Sequence, residues 1–270
     1  MRDLRRRSLL AGALAVPLTA SLPVSPARAR TASGPDAGAL RAAIAGLPDA
    51  NVTAALVRVG GSDGSWRGSS GVHDLESGRP ADPGARFRAG STTKVVTAAT
   101  VLGLVTEGWI DLGRPVQHYL PGLLGSRFRP VTVRQLLNHT SGIPAGDGLG
   151  TTFEEVYAHR FDTLAPERVA ASAGAKEPEF CPGKQQHYLN INYTFLGLLV
   201  ERVTGRSYAA EAARLVLAPA GMRDTYFPGT DPRILGPHNR ATRRCAGPTG
   251  RRSSWTSRSG TRRTGSRPGT

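Results

Sequence analysis

The stretch from Arg86 to Glu107 constrains this chain more than any other. Arg86-Phe-Arg-Ala-Gly-Ser91-Thr-Thr-Lys94 runs straight into an apolar segment where Val95, Ala98, Ala99, Leu102 and Val105 recur at helical spacing. That spacing predicts a helix from Thr92 to about Gly108, with those positions as its buried face. Gly90 permits the backbone turn before it. Residues three apart share a helix face, so Ser91 and Lys94 bring a hydroxyl beside an amine. A serine hydroxyl attacks weakly until a neighbour takes its proton, and an amine shielded from water can do so. A helix N-terminus adds free N–H groups where an oxyanion could form. Against this, serine is a common N-cap and Ser-x-x-Lys is a short pattern. One feature of composition favours chemistry. Only Lys94, Lys176 and Lys184 among the 35 basic residues are lysines, and arginine cannot give up its proton as a lysine can.

The formal charge of +15 suggests a nucleic-acid or membrane-surface partner until it is divided along the chain. Residues 1–29 carry +4 and residues 241–270 carry +8, which leaves +3 for residues 30–240. The part able to fold is nearly neutral, so no nucleic-acid partner is expected. Met1 to Ala29 has the form of a targeting segment: Arg2, Arg5, Arg6 and Arg7, the apolar run Leu9–Val16, then Ala27-Arg28-Ala29 as a small-residue cleavage site. The run is too short for an integral membrane anchor. Arg6-Arg7-Ser8-Leu9-Leu10 resembles a twin-arginine export signal, so a secreted, extracellular protein is expected.

Residues 30–240 are enough for one domain or two small lobes. Asn51–Val59 and Trp66–Val72 read as strands joined across Gly60–Gly64, and a hairpin of that size needs further support. Val133–Leu137 reads as a short helix, residues 152–172 as irregular helix, and Asn192–Val203 as a second apolar helix burying Phe195, Leu198, Leu199 and Val203. Strands first and helices after suggest an α/β sandwich with a helical lobe. Before the second apolar helix lies Pro182-Gly183-Lys184-Gln-Gln-His187-Tyr188-Leu189-Asn190. In extended geometry Tyr188 and Asn190 point one way and Leu189 the other. A phenol and an amide there could relay a proton and hold a substrate, although loop capping explains such a pair equally well. A triad of Ser91 with His139 or His187 lacks the Gly-x-Ser-x-Gly elbow. The six histidines show no metal-ligand spacing, so neither metal nor cofactor is expected. Cys181 and Cys245 form no disulfide framework, and Cys181 is expected to fill a small apolar slot.

Together these residues resemble the serine hydrolases of the class C β-lactamase and D-alanyl-D-alanine carboxypeptidase superfamily, which includes penicillin-binding proteins. Ser91-Thr-Thr-Lys94 is similar to that family's first motif and Tyr188-Leu-Asn190 to its second. Pro182-Gly183, Asn192-Tyr193-x-x-Leu196-Gly197-x-x-x-Glu201, Leu136-Leu-Asn-His139-Thr-Ser141-Gly142-Ile143 and Pro219-Ala-Gly-Met222-Arg-Asp-Thr225 follow in the family's order, over about residues 40–240. The resemblance implies a β-lactamase/transpeptidase-like α/β sandwich of an antiparallel sheet with helices, plus a helical lobe. It also implies an acyl-enzyme on Ser91, proton transfer by Lys94 and Tyr188, and a substrate amide held by Asn190. D-Ala-D-Ala peptides of peptidoglycan are the expected substrate, with a β-lactam or a small ester or amide as alternatives within the fold. A non-catalytic cell-wall or penicillin-binding protein is the alternative of another class. A monomer is expected.

The family's third motif, Lys-or-His, Thr-or-Ser, Gly on a strand, has only Arg263-Thr264-Gly265 as an echo. Residues 241–270 contain no Leu, Ile, Val, Phe or Tyr, so they are expected to be a disordered basic tail, and the C-terminal strands and helix of the fold are expected to be missing. The change of composition after Arg240 suggests a shifted reading frame. Reading one base earlier forces Asp at Trp255-Thr256 and permits a strand-like run there. A chain so truncated is expected to be inactive.

Overall fold

The computed structural model describes residues 34–240 and the backbone of residues 242–246 and 252–256. The leader and Arg263-Thr264-Gly265 lie outside the described residues. Helix α1 (Ala37–Ala43) starts at Asp36, whose Oδ1 accepts from the Gly38 and Ala39 N–H groups at 2.9 and 3.0 Å. Strands β1 (Ala54–Gly61) and β2 (Gly64–Gly71) pair antiparallel across a two-residue turn, with Ala54 opposite Gly71. A 3-10 turn over Gly90–Thr92 leads into α2 (Thr93–Thr106). Then come α3 (Val116–Tyr119), α4 (Val133–Leu137), α5 (Phe153–Ala158), α6 (Pro166–Gly174), α7 (Asn190–Thr204) and α8 (Tyr208–Ala212), the last continuing into a π-helical turn over Ala213–Leu217. The fold is α/β, with helices and antiparallel strand pairing, as expected.

The core lies among the helices. α7 packs against α2, α3, α4, α6 and α8. Its Phe195, Leu196, Leu199 and Val200 are fully buried, together with Val101 and Leu104 of α2, Leu136 of α4 and Ile143. Gly205, at a φ of 67°, ends α7 in the left-handed conformation that glycine adopts most readily. α4 is one turn long and depends on its cap. The Thr132 hydroxyl accepts from the Gln135 N–H, and the Gln135 side chain accepts from the Thr132 N–H.

Three expectations need correction. α2 buries Thr97, Thr100, Val101 and Leu104, not the face holding Val95 and Leu102, which are 69% and 47% exposed. The helix is apolar on more than one side, so spacing alone does not select the buried face. Threonines can enter the core because Thr97 and Thr100 donate their hydroxyls to the carbonyls of Thr93 and Val96, at 3.2 and 2.8 Å. Cys181 is exposed rather than slotted into the core. Its carbonyl accepts from the Lys184 N–H at 3.1 Å, so the turn at Pro182-Gly183 sets its place. Finally, β3 (Thr242–Ala246) pairs antiparallel with β4 (Arg252–Thr256) where no strand was expected. Ladder hydrogen bonds are a backbone property and need no apolar side chains. This hairpin is a sheet of its own, separate from β1–β2.

Candidate active site

The site forms where the N-terminus of α2 meets that of α7. Gly90, with φ 53°, takes the left-handed step that turns the chain into the 3-10 turn, so Ser91 sits ahead of the first α-helical residue. Lys94 follows one turn later, and its Nζ lies 3.4 Å from Ser91 Oγ. The same amine donates to Asn190 Oδ1 at 2.7 Å. Asn190 opens α7, and Leu189 before it is extended (φ −137°, ψ 143°) and packs against the core. Tyr188 therefore stays half outside, with its ring centroid 4.8 Å from Lys94 Nζ. The four predicted residues, Ser91, Lys94, Tyr188 and Asn190, thus meet at one place. A hydrogen bond from the Lys94 amine first, then one from the Ser91 hydroxyl, and the Lys94 charge hold the Tyr188 phenol below its ordinary pKa.

The two histidines weighed for a triad lie elsewhere. His187 Nδ1 faces Glu179 Oε2 at 2.5 Å, in a hydrogen bond between exposed side chains. His139 is 8% exposed and stands behind Tyr188, and the Leu189 N–H and Asn192 amide face its Nδ1. Asn192 and Ser141 complete this environment, and no spacing in the sequence pairs them. Their signal was the turn Asn138-His139-Thr140-Ser141-Gly142, whose backbone no ordinary loop requires. His139 has φ 62° and Gly142 has φ 73°. A side-chain methyl at Gly142 would stand 2.1 Å from the Phe180 carbonyl oxygen.

Beside Lys94 and Asn190 a groove of about 430 Å³ runs between α2 and α7, lined also by Thr97, Tyr193, Gly197 and Tyr208. Thr97 and Tyr208 share a 2.7 Å hydrogen bond across its base. Among the described residues, no three His, Cys, Asp or Glu side chains gather as metal ligands, and no helix is long and apolar enough to cross a membrane. The chemistry available is that of a hydroxyl, an amine, a phenol and an amide at the start of a helix.

A serine and a lysine one helical turn apart, facing the asparagine that opens a second helix and the tyrosine just before it, on an α/β frame, define a serine-hydrolase class of fold and site. Residues 40–261 match the Beta-lactamase family model, and the chain belongs to that family. It is 35% identical over 184 residues to esterase EstB of Burkholderia gladioli, covering 62% of this chain and 45% of the relative. It is 30% identical over 172 residues to penicillin-binding protein 4* of Bacillus subtilis (strain 168), covering 61% and 36%. Among solved structures it resembles the D-stereospecific amidohydrolase from Streptomyces sp., with 33% identity, a TM-score of 0.66, and coverage of 77% of this chain and 61% of that one. The chain spans less than half the length of these two curated relatives.

Proposed function

We propose that this protein hydrolyses an amide or ester through an acyl-enzyme on Ser91, with D-Ala-D-Ala peptides as the amide substrate and small esters as the alternative. The observation that carries the reading is Lys94 Nζ, held by Asn190 Oδ1 at 2.7 Å and standing 3.4 Å from Ser91 Oγ. Ser91 Oγ attacks the substrate carbonyl carbon. Its proton passes to Tyr188, whose phenolate the adjacent Lys94 favours. Tyr188 then gives the proton to the departing amine or alcohol. Water enters by the same route in reverse and releases the acid. Asn190 orients the Lys94 amine and contacts the substrate's amide. The Ser91 N–H faces the oxyanion, while the Thr92 and Thr93 N–H groups are held by the Ala89 and Gly90 carbonyls. D-configured amides come into view because one similar structure is a D-stereospecific amidohydrolase and one relative is a penicillin-binding protein, while esters come into view through esterase EstB.

The test is covalent labelling with a fluorescent penicillin, followed by turnover of a p-nitrophenyl ester and of a D-Ala-D-Ala dipeptide amide. A frame-restored protein carrying the whole fold is expected to take the label and release product, and its Ser91→Ala variant to do neither. A Ser91→Ala variant that labels as strongly as the parent removes Ser91 as nucleophile. Labelling without turnover of either substrate favours a non-catalytic penicillin-binding protein.

A further inference from the structure

We propose that His139 is the positioning residue for the Tyr188–Asn190 segment, acting as a neutral imidazole protonated on Nε2 whose Nδ1 accepts hydrogen bonds. The proposal rests on the reading of Tyr188 and Asn190 as side chains of the hydrolytic site.

Five contacts converge on this one residue. Its carbonyl accepts from the His187 N–H at 2.9 Å. Its ring lies 4.6 Å from the Tyr188 ring, centroid to centroid, and 5.2 Å from the Tyr193 ring. Its Nδ1 is 3.4 Å from the Leu189 backbone nitrogen and 3.2 Å from Asn192 Nδ2. His139 therefore touches residues 187, 188 and 189 in succession and grips α7 through Asn192 and Tyr193.

The tautomer follows from donor and acceptor counting. A backbone N–H can only donate, so the Nδ1 facing Leu189 must be a lone pair and the ring proton must sit on Nε2. The Asn192 amide agrees. Ser141 Oγ accepts from the Ile143 N–H at 3.1 Å and donates its own proton to Asn192 Oδ1 at 2.5 Å. That leaves Asn192 Nδ2 as the donor to His139. The ring is thus excluded as a general base for Ser91, since its one lone pair is already engaged on the far side of Tyr188. The left-handed φ of 62° aims the ring inward, and histidine adopts that conformation more readily than most residues.

The arrangement has a pH limit. Protonation would place a hydrogen on Nδ1 opposite two donors, and the Tyr188–Asn190 segment would have to move. The charged and titratable groups around the ring are Lys94 from α2, Tyr188 before α7 and Tyr193 on it, and His187 with Glu179 beside its carbonyl. Burial first, and the Lys94 charge second, hold the imidazole pKa below its ordinary value, the direction that favours the neutral ring.

The experiment compares the parent protein with His139→Asn and His139→Leu. Asparagine places an amide oxygen near the Nδ1 position and tolerates positive φ, but does not titrate. Leucine offers no acceptor. A long-range ¹H–¹⁵N correlation spectrum, with His139 assigned by its loss in His139→Asn, is expected to show the Nε2–H form; an Nδ1–H form overturns the proposal. In ester hydrolysis across about pH 5 to 9, His139→Leu is expected to lose on the order of 100-fold in kcat with KM little changed, the scale of a misplaced catalytic group. His139→Asn, which keeps an acceptor at the Nδ1 position, is expected to keep kcat within about 10-fold. A kcat in His139→Asn as low as in His139→Leu, or an undiminished kcat in folded His139→Leu, overturns it. A frame-restored parent that neither labels nor turns over sinks the hydrolase reading instead. The Tyr188 phenol titration then decides for His139: it must rise toward its ordinary value in His139→Leu and stay lowered in His139→Asn.

Discussion

Ser91 has an amine and a phenol as neighbours, and the order in which they hold protons sets the pH profile of the site. Lys94 acts on Tyr188 in one direction, since a positive amine beside a phenol favours the phenolate. A base that works as phenolate gains activity as pH rises through its pKa. Lys94→Met is therefore expected to return the Tyr188 phenol toward its ordinary value and to move the rise in hydrolysis to higher pH. Ultraviolet difference titration of tyrosinate and a rate profile measure the two shifts; a Tyr188 titration that does not move removes Lys94 as the cause. His139 imposes the opposite limit. Its folded pKa is lowered, so the stability contributed by the neutral ring is full above about pH 6.5 and declines as pH falls from there toward its folded value. Ser91, Lys94, Tyr188 and Asn190 were all visible in the sequence because each belongs to a short motif at fixed spacing. His139 was visible as a rejected triad member and as part of the motif running to Ile143, but not as a support for Tyr188. Its role depends on a backbone N–H and an amide, Leu189 and Asn192, that no spacing announces.

Among the elements, the turn from Asn138 to Ile143 has the least freedom. Gly142 combines a left-handed φ with a backbone oxygen where a Cβ would stand, so neither rotation nor a rotamer change relieves the clash. Gly142→Ala is expected to cost at least about 2 kcal/mol and to lower the melting temperature by several degrees. It should also disturb Ser141 and, through Asn192, the tautomer of His139. A thermal melt unchanged within error would show that the turn relaxes freely. The helices α4 and α7 were readable in advance because capping and apolar spacing agree, at Thr132 with Gln135 and at Phe195 with Leu199. α2 was readable as a helix but not in its orientation. Both of its faces are apolar, and the choice between them is made by α7, far away in the sequence.

At the scale of the molecule, charge and length divide the chain. The nearly neutral stretch holds the folded helices, and the arginine-rich leader belongs to a proposal about place: export by the twin-arginine route. Replacing Arg6 and Arg7 together by Lys is expected to keep the protein in the cytoplasm, as read by fractionation; undiminished export would mean that the leader works as an ordinary secretory signal. How the hairpins join the rest was not legible, because strand pairing between separate sheets depends on partners that local patterns do not specify. The bond from Lys94 to Asn190 spans 96 residues of sequence. A ribosome therefore makes the nucleophile and its amine long before the residues that orient them. On the proposed mechanism, a nascent chain carries Ser91 but stays chemically silent until α7 has emerged and docked on α2. An export route that accepts proteins only after they fold would carry the enzyme already armed. One that threads the chain unfolded would keep it inert until it refolds on the far side.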